Sequence, residues 1–291
     1  MSGSVLYDAP GPRTRRLELN ASIVVVAVLA AGMVWLVLDM IDRGLFDDRW
    51  LVFVAPPRGQ TAEAVWMSLG RGLLATLRAA AVAAPIALAA AFVLAILRTS
   101  RSTVVRAPVV ALIEFLRGMP VLLMMFFGLL AFGLSAFGAV VLGLALYNAA
   151  IMAEILRAGL AALPKGQVEA GTALGLTRWQ VLRMIQIPQV VRLMLPSLIS
   201  QLVVLLKDSS LGFIVGYPEL LRTMQLNYSF FGDRFRFPLF VVVLLIYLAV
   251  NITLSRVAIL VERRLSRRGQ ARPAPTAALP PEIQPAALVK P

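Results

Sequence analysis

Long apolar stretches alternate with short polar segments along the chain, and this alternation is the first feature that predicts its structure. The apolar stretches cover residues 23–40, 66–97, 109–134, 136–155, 190–215 and 238–261. A helix of about 20 apolar residues crosses a hydrocarbon core of roughly 30 Å. The pattern therefore predicts an all-α integral membrane protein with six transmembrane helices.

Composition supports this prediction and excludes several classes of function. The 291 residues are 59% hydrophobic, with a mean hydropathy of +0.83, which is too apolar for a soluble domain. The net charge of +13 agrees with cytoplasmic loops rich in Lys and Arg, and no nucleic-acid-binding motif is present. Cysteine and histidine are both missing from the sequence. The usual thiolate and imidazole metal ligands and the usual general base are therefore missing, and an enzyme would have to use Asp, Glu or Ser alone, for which no paired catalytic motif appears. We expect no metal site and no catalytic residues.

The distribution of basic residues predicts the orientation of the helices. The N-terminal segment, the segments around 98–106 and 157–192, and the segment around 263–268 are strongly basic, whereas 41–65 and 217–236 are nearly balanced. Basic loops stay in the cytoplasm. We therefore expect both termini to be cytoplasmic, with a cytoplasmic segment at 1–20, a first helix at 21–41 that is not cleaved, and an extracytoplasmic loop at 42–65. The proline-rich residues 265–291 are predicted to be a disordered cytoplasmic tail.

The polar segment between the fourth and fifth apolar stretches has the pattern of a helical hairpin. Glu169 to Leu174 fits one short helix, and Gly175 suits a helix end that needs positive φ. Thr177 with Gln180 is a capping-box pattern for a second helix, and Pro188 marks the return to the membrane. From these residues alone, the hairpin either binds a partner or lies on lipid headgroups.

The motif in this hairpin resembles the EAA loop of ABC importer permeases. The family pattern is E-A-A, three residues, G, nine residues and I-x-L-P, and here residues 166–188 keep the spacing with Gly171 and Ile187 as departures. The resemblance implies a coupling helix that docks on a separate ATPase subunit. It assigns the coupling role to Glu169, Ala170, Gly171, Ala173, Leu174 and Gly175.

Other motifs resemble the polar amino-acid permeases of this family, among them Glu114–Pro120, Ala153–Gly159 and Lys207–Leu211. The resemblance implies a permease domain at 66–264, with five family helices after one extra N-terminal helix, in a bacterial plasma membrane. The start of the chain, Val5–Pro12, is similar to actinobacterial glutamate permeases, which makes glutamate the expected substrate.

The same resemblance implies a set of partners. They are a dimer of ATPase subunits, a second permease that is identical or homologous, an extracytoplasmic substrate-binding protein, the amino-acid substrate and membrane lipid. No G-x-x-x-x-G-K-[ST] loop occurs in the sequence, so ATP with Mg²⁺ is expected on the partner ATPase and no cofactor in this chain.

Ionisable residues inside apolar stretches are candidates for the translocation path because they are costly in lipid. The candidates are Glu114, Arg117, Glu154, Lys207 and Asp208, with the neighbouring hydroxyl groups of Ser209 and Ser210. A cation and an anion side by side suit the carboxylate and ammonium groups of an amino acid. Structural alternatives stay open: Glu114 pairing with Arg117 on one helix face, an internal Lys207–Asp208 pair, and a purely structural Glu154.

Residues 217–236 are predicted to form an aromatic-rich loop, acting as an interfacial belt or as a contact for the substrate-binding protein.

The competing functional classes are an ion-coupled secondary amino-acid transporter and an intramembrane enzyme. An ATP-hydrolysing subunit that co-purifies with the chain would distinguish the importer from both.

Overall fold

The computed structural model describes residues 11–267, and most of these residues lie in helices. No strand is found within that range, so the all-α prediction is confirmed. The α-helices are α1 (Pro12–Asp42), α2 (Ala62–Arg98), α3 (Thr103–Gly118), α4 (Val121–Leu130), α5 (Ala136–Ala162), α6 (Lys165–Ala173), α7 (Arg178–Val181), α8 (Ile187–Asp208), α9 (Leu220–Phe231) and α10 (Arg236–Arg267).

Several sequence-based predictions fall partly or wholly outside the described residues. The motif at 5–12 and the cytoplasmic segment at 1–20 are described only from residue 11, and the tail at 265–291 only as far as residue 267.

Five of the described helical segments are long and apolar enough to cross a membrane. They are Thr14–Asp42, Ala62–Arg98, Ala136–Ala162, Arg178–Phe213 and Asp233–Leu260. The pair α3 and α4 brings the number of spans to six only if it counts as one broken span.

The predicted continuous helix at 109–134 is wrong, because the chain bends by 102° between α3 and α4. Met119 has extended backbone angles (φ −89°, ψ 131°) immediately before Pro120. The proline ring disfavours a helical conformation at the residue before it. The bend therefore has a local cause that the long apolar stretch conceals.

The predicted boundary between the polar hairpin and the fifth span also needs correction. Helix α7 continues through a π-helical turn at Leu182–Gln186 into α8, so the helical segment that contains the fifth span begins at Arg178 rather than near Val190. Pro188 has no backbone N–H to continue the regular helical bonds, and the wider turn absorbs this defect. The side-chain amide of Gln189 donates to the carbonyl of Ile185 at 2.9 Å. Pro188 therefore modifies a continuous helix instead of separating two.

The chain forms two compact units. Among the described residues, the first contains 11–68 together with Met224–Val242, and the second contains Leu69–Thr223 together with 243–267.

In the second unit, α5 is the central helix. Two thirds (67%) of the most apolar 18-residue stretch of α5 is buried. The helix packs against α3, α4 and α8. Helix α2 contributes small buried side chains at Ala79, Ala83, Ala87, Ala91 and Ala95. This four-residue repeat places a smooth stripe on one face of α2, which permits close helix packing.

In the first unit, aromatic side chains form contacts between the segment after α1 and the starts of α2 and α10. The Trp50 ring lies 6.3 Å from the Phe237 ring, and the Phe53 ring lies 5.3 Å from the Trp66 ring. The Trp66 indole N–H donates to the Phe53 carbonyl at 3.2 Å.

The predicted aromatic loop at 217–236 is instead largely helical. Helix α9 covers Leu220–Phe231, and glycines with positive φ, Gly216 and Gly232, stand on either side of it. Phe231 and Phe235 are buried (7% and 2% exposed) and pack ring to ring. These two rings therefore belong to the interior of the first unit and do not form a lipid-facing belt.

Candidate functional site

The polar hairpin is built from α6, a glycine turn and α7, and its turn has a Schellman motif. The N–H of Leu176 donates to the carbonyl of Gly171 (3.2 Å), and the N–H of Gly175 donates to that of Thr172 (3.0 Å). Gly175 has φ +79°, a region that side chains other than glycine enter at a cost. The predicted helix end at Gly175 is confirmed.

Helix α7 begins with the predicted capping box. The hydroxyl oxygen of Thr177 accepts from the Gln180 N–H (3.3 Å), and the side-chain oxygen of Gln180 accepts from the Thr177 N–H (2.7 Å). Gly171 allows α6 to approach this second helix, because a Cβ there would lie 2.9 Å from Val181 Cγ2. The departure from the family's third alanine therefore coincides with close packing inside the hairpin.

The hairpin exposes apolar surface although it is a polar segment. Leu174 is 83% exposed and Trp179 is 54% exposed. Of the six predicted coupling residues, Gly171 is buried, and the other five, Glu169, Ala170, Ala173, Leu174 and Gly175, are exposed. The coupling role of these residues remains a prediction.

Three of the predicted path residues lie in one charge network. Glu154 contacts Arg157 (2.6 Å) and Arg98 (2.5 Å), and Glu114 contacts Arg117 (3.3 Å) and Arg98 (3.9 Å). The Glu154 side chain is 23% exposed and that of Glu114 is 55% exposed. The Glu114–Arg117 ion pair, which the sequence analysis gave as a structural alternative, is thus formed. Arg98 contacts the carboxylates of both Glu114 and Glu154.

Lys207–Ser210 lies apart from this network in the described contacts. Helix α8 ends at Asp208, and Ser209–Phe213 continues as a 3₁₀-helix. Lys207 is exposed and Asp208 half-buried, and no ion pair between them is found in the described part of the chain. Ser209 is fully buried and its hydroxyl group donates to the Leu206 carbonyl at 2.6 Å. The internal Lys207–Asp208 pair considered from the sequence is not formed.

Some polar contacts in the second unit were not predicted. Arg98, which the sequence places in a basic loop, is the last residue of α2. The side chain of Gln201 donates to the side-chain oxygen of Asn148 at 2.9 Å, joining α8 to α5. The sequence did contain a signal for this contact, because Asn148 is a polar amide inside the apolar stretch 136–155. Such residues usually face another helix, where their side chains find hydrogen-bond partners.

Comparison with known proteins now decides the family. Residues 83–267 match the family described as the inner membrane component of binding-protein-dependent transport systems. The chain belongs to this family. The chain is similar to a glutamate transport system permease protein of Corynebacterium glutamicum, 39% identical over 69% of this chain and 76% of that protein. A probable glutamine ABC transporter permease protein of Bacillus subtilis is 34% identical over 68% of this chain and 91% of that protein.

One solved structure supports the same family, and a second supports the fold. The crystal structure of an amino acid ABC transporter with histidines matches with a TM-score of 0.61 and 31% identity, covering 68% of this chain and 94% of that chain. The MetNI methionine ABC transporter matches with a TM-score of 0.58 at 19% identity, covering 70% of this chain and 98% of that chain, which shows the fold alone.

The protein is therefore an ABC permease subunit of the cell membrane and not an enzyme. The family and its fold imply an ATPase and a binding protein as partners in general terms.

Proposed function

We propose that this permease imports polar amino acids, with glutamate as the preferred substrate, in an ATP-driven complex. The relatives named above, which are glutamate and glutamine permeases, support this substrate class. The observation that carries the coupling role is the exposed Leu174 at the end of α6, beside a turn held by two backbone hydrogen bonds. An ordered apolar surface in water is typical of a partner-binding site.

The proposed assembly has two permease halves, identical or homologous, with an ATPase dimer at the hairpins. ATP with Mg²⁺ binds to the ATPase subunits, and the hairpin passes their movement to the helices. Both termini of this chain are cytoplasmic in this arrangement, in agreement with the basic segments. A substrate-binding protein delivers the amino acid from the other side.

The coupling role is tested by Leu174→Ser. Val104→Ser is the matched control, because Val104 is equally exposed (84% against 83%) but lies on α3, outside the hairpin. We expect Leu174→Ser to reduce co-purification of the ATPase and ATP-driven uptake, with normal amounts of permease in the membrane. Equal effects of both variants would contradict the proposal.

The path is proposed to include Lys207, Asp208, Ser209 and Ser210, with Glu154, Glu114 and Arg117 in the charge network. Lys207 and Asp208 support this role, because they are ionisable residues at the end of α8 and neither forms an ion pair among the described residues. Lys207→Met should lower maximal uptake without changing the affinity of the binding protein for its substrate. Unchanged uptake would remove Lys207 from the path.

Substrate preference is tested by competition. Uptake of labelled glutamate is measured with a panel of unlabelled aspartate, glutamine, histidine and arginine. Glutamate should compete best. Stronger competition by another amino acid would correct the preference and leave the importer assignment intact.

A further inference from the structure

A pocket of about 610 Å³ lies in the first unit, between the segment after α1, helix α9 and the start of α10. Its polar lining includes Arg49, Arg234, Arg236 and Tyr228, and its apolar lining includes Phe237 and Phe240. The predicted path and the coupling hairpin use none of these residues. Arg49 also lies outside the part of the chain that matches the family, which begins at residue 83.

The pocket carries unneutralised positive charge. Three arginines line it against one aspartate, Asp233, which pairs with Arg236 at 2.7 Å. Arg49 donates to the backbone carbonyl of Arg43, and Arg234 lies over the Phe235 ring at 4.5 Å. Neither Arg49 nor Arg234 forms an ion pair within residues 11–267. Each guanidinium group has five N–H donors, so both keep donors for an anion.

Two apolar spans end or begin at the pocket, which places the pocket at the depth of the lipid headgroups. One apolar span ends at Asp42, three residues before the lining residue Leu45. Another begins at Asp233, which itself lines the pocket. Aromatic and arginine side chains are enriched where spans leave the hydrocarbon core. Trp50 and Phe237, in edge-to-face contact, fit this position.

The lining combines anion donors with an apolar wall, and this combination selects the ligand. Guanidinium groups bind phosphate through paired N–H donors. Inorganic phosphate would leave the Phe237 and Phe240 surfaces unused, whereas a phospholipid places its glycerol and acyl carbons there. We propose that this pocket binds the phosphate of an anionic phospholipid such as phosphatidylglycerol.

The test uses the full chain in detergent micelles and three probes: dioctanoyl phosphatidylglycerol, dioctanoyl phosphatidylcholine and inorganic phosphate. Native mass spectrometry measures their retention. Wild-type protein should retain phosphatidylglycerol in preference to the other two. The double substitution Arg49→Gln/Arg234→Gln should lower its retention about thirty-fold, since both free cations are lost. Arg43→Gln is the matched control, because Arg43 is exposed nearby but does not line the pocket.

Several results would overturn the proposal. Equal retention of phosphatidylcholine would show that the pocket does not select an anionic headgroup. Retention of inorganic phosphate as strong as that of the lipid would show a phosphate site that does not recognise lipid. Unchanged retention in the double variant, with weaker docking of the substrate-binding protein, would make the pocket a protein-binding surface. If the double variant does not fold, Arg49→Lys/Arg234→Lys is tested instead; it keeps the charge and should retain the lipid. If neither variant folds, the test is whether the wild-type protein prefers phosphatidylglycerol to phosphatidylcholine.

Discussion

The hydroxyl group of Tyr247 on α10 donates a hydrogen bond of 2.6 Å to the carboxyl group of Glu219, which is fully buried. Glu219 also accepts from the N–H groups of Leu221 (2.9 Å) and Arg222 (2.7 Å), in the first turn of α9. One acidic side chain thus caps a helix and ties it to a membrane span in the second unit. Helices leave such N–H groups unpaired unless a cap accepts them.

Tyr247→Phe should lower the free energy of unfolding by about 0.5–1.5 kcal/mol, the net value of one hydrogen bond, because the buried Glu219 carboxyl group loses one of its three donors. Thermal unfolding in detergent measures the change. Tyr147→Phe is the matched control, since Tyr147 is a half-buried tyrosine in α5 with no hydroxyl hydrogen bond among the described contacts. Equal melting temperatures for the two variants would show that the Tyr247 bond contributes nothing.

Glu219 should also make stability depend on pH. Burial raises the pKa of the Glu219 carboxyl group above its ordinary value of 4.5, although its hydrogen bonds lower it in part. The folded protein therefore holds this proton more tightly than the unfolded chain. Stability from this group is fully present below pH 4.5 and is lost as pH rises through the folded pKa.

The measurement is the melting temperature as a function of pH for wild type and Glu219→Gln. Wild type should lose stability above pH 4.5 relative to the variant, in which that decline is absent. Glu63→Gln, at an exposed carboxyl group, should follow the wild-type curve. Parallel curves for wild type and Glu219→Gln would contradict the raised pKa.

The two acids of the charge network should differ in their contribution to stability. Glu154→Gln leaves Arg98 and Arg157 without their shared carboxylate, and we expect a loss of about 1–3 kcal/mol. Glu114 is more exposed, and its contacts are longer, so Glu114→Gln should cost at most about 1 kcal/mol. Chemical denaturation of both variants checks the order, and a larger effect at Glu114 would be evidence against the network as described.

The hairpin turn should depend on the backbone of Gly175. Gly175→Val places a branched side chain at φ +79°, at a cost of about 1–2 kcal/mol for the left-handed conformation. We expect ATP-driven uptake to fall while the permease still reaches the membrane. Gly166→Val is the control, because Gly166 lies in α6 with open space around it. Normal uptake by the Gly175 variant would show that coupling to the ATPase does not depend on the geometry of this turn.

The Asn148–Gln201 bond should contribute to the packing of α5 against α8. A double-mutant cycle with Asn148→Ala and Gln201→Ala should give a coupling energy of about 0.6 kcal/mol, and up to about 1.7 kcal/mol. Gln189, whose side chain bonds within its own helical segment, provides the reference cycle with Asn148. If the stability changes of Asn148→Ala and Gln201→Ala are additive, this hydrogen bond contributes no measurable coupling energy.

The features that the sequence predicted correctly depend on residues close together along the chain. The apolar stretches show the membrane helices, because about 20 residues in sequence cross one bilayer. The turn at Gly175 and the capping box at Thr177 were also predictable, since each is made within a few residues. Helix α9 was missed because its cap, Glu219, does not differ in sequence from an ordinary loop acid.

Tertiary structure alone decided the long-range pairings. Arg98 and Glu154 are 56 residues apart, and Glu219 and Tyr247 are 28 apart. The apolar pattern says that each helix is in the membrane but not which neighbour it meets or how it is rotated. Costly ionisable groups in these helices must find partners, yet the identity of each partner is set by helix packing, which depends on the shapes of many side chains at once.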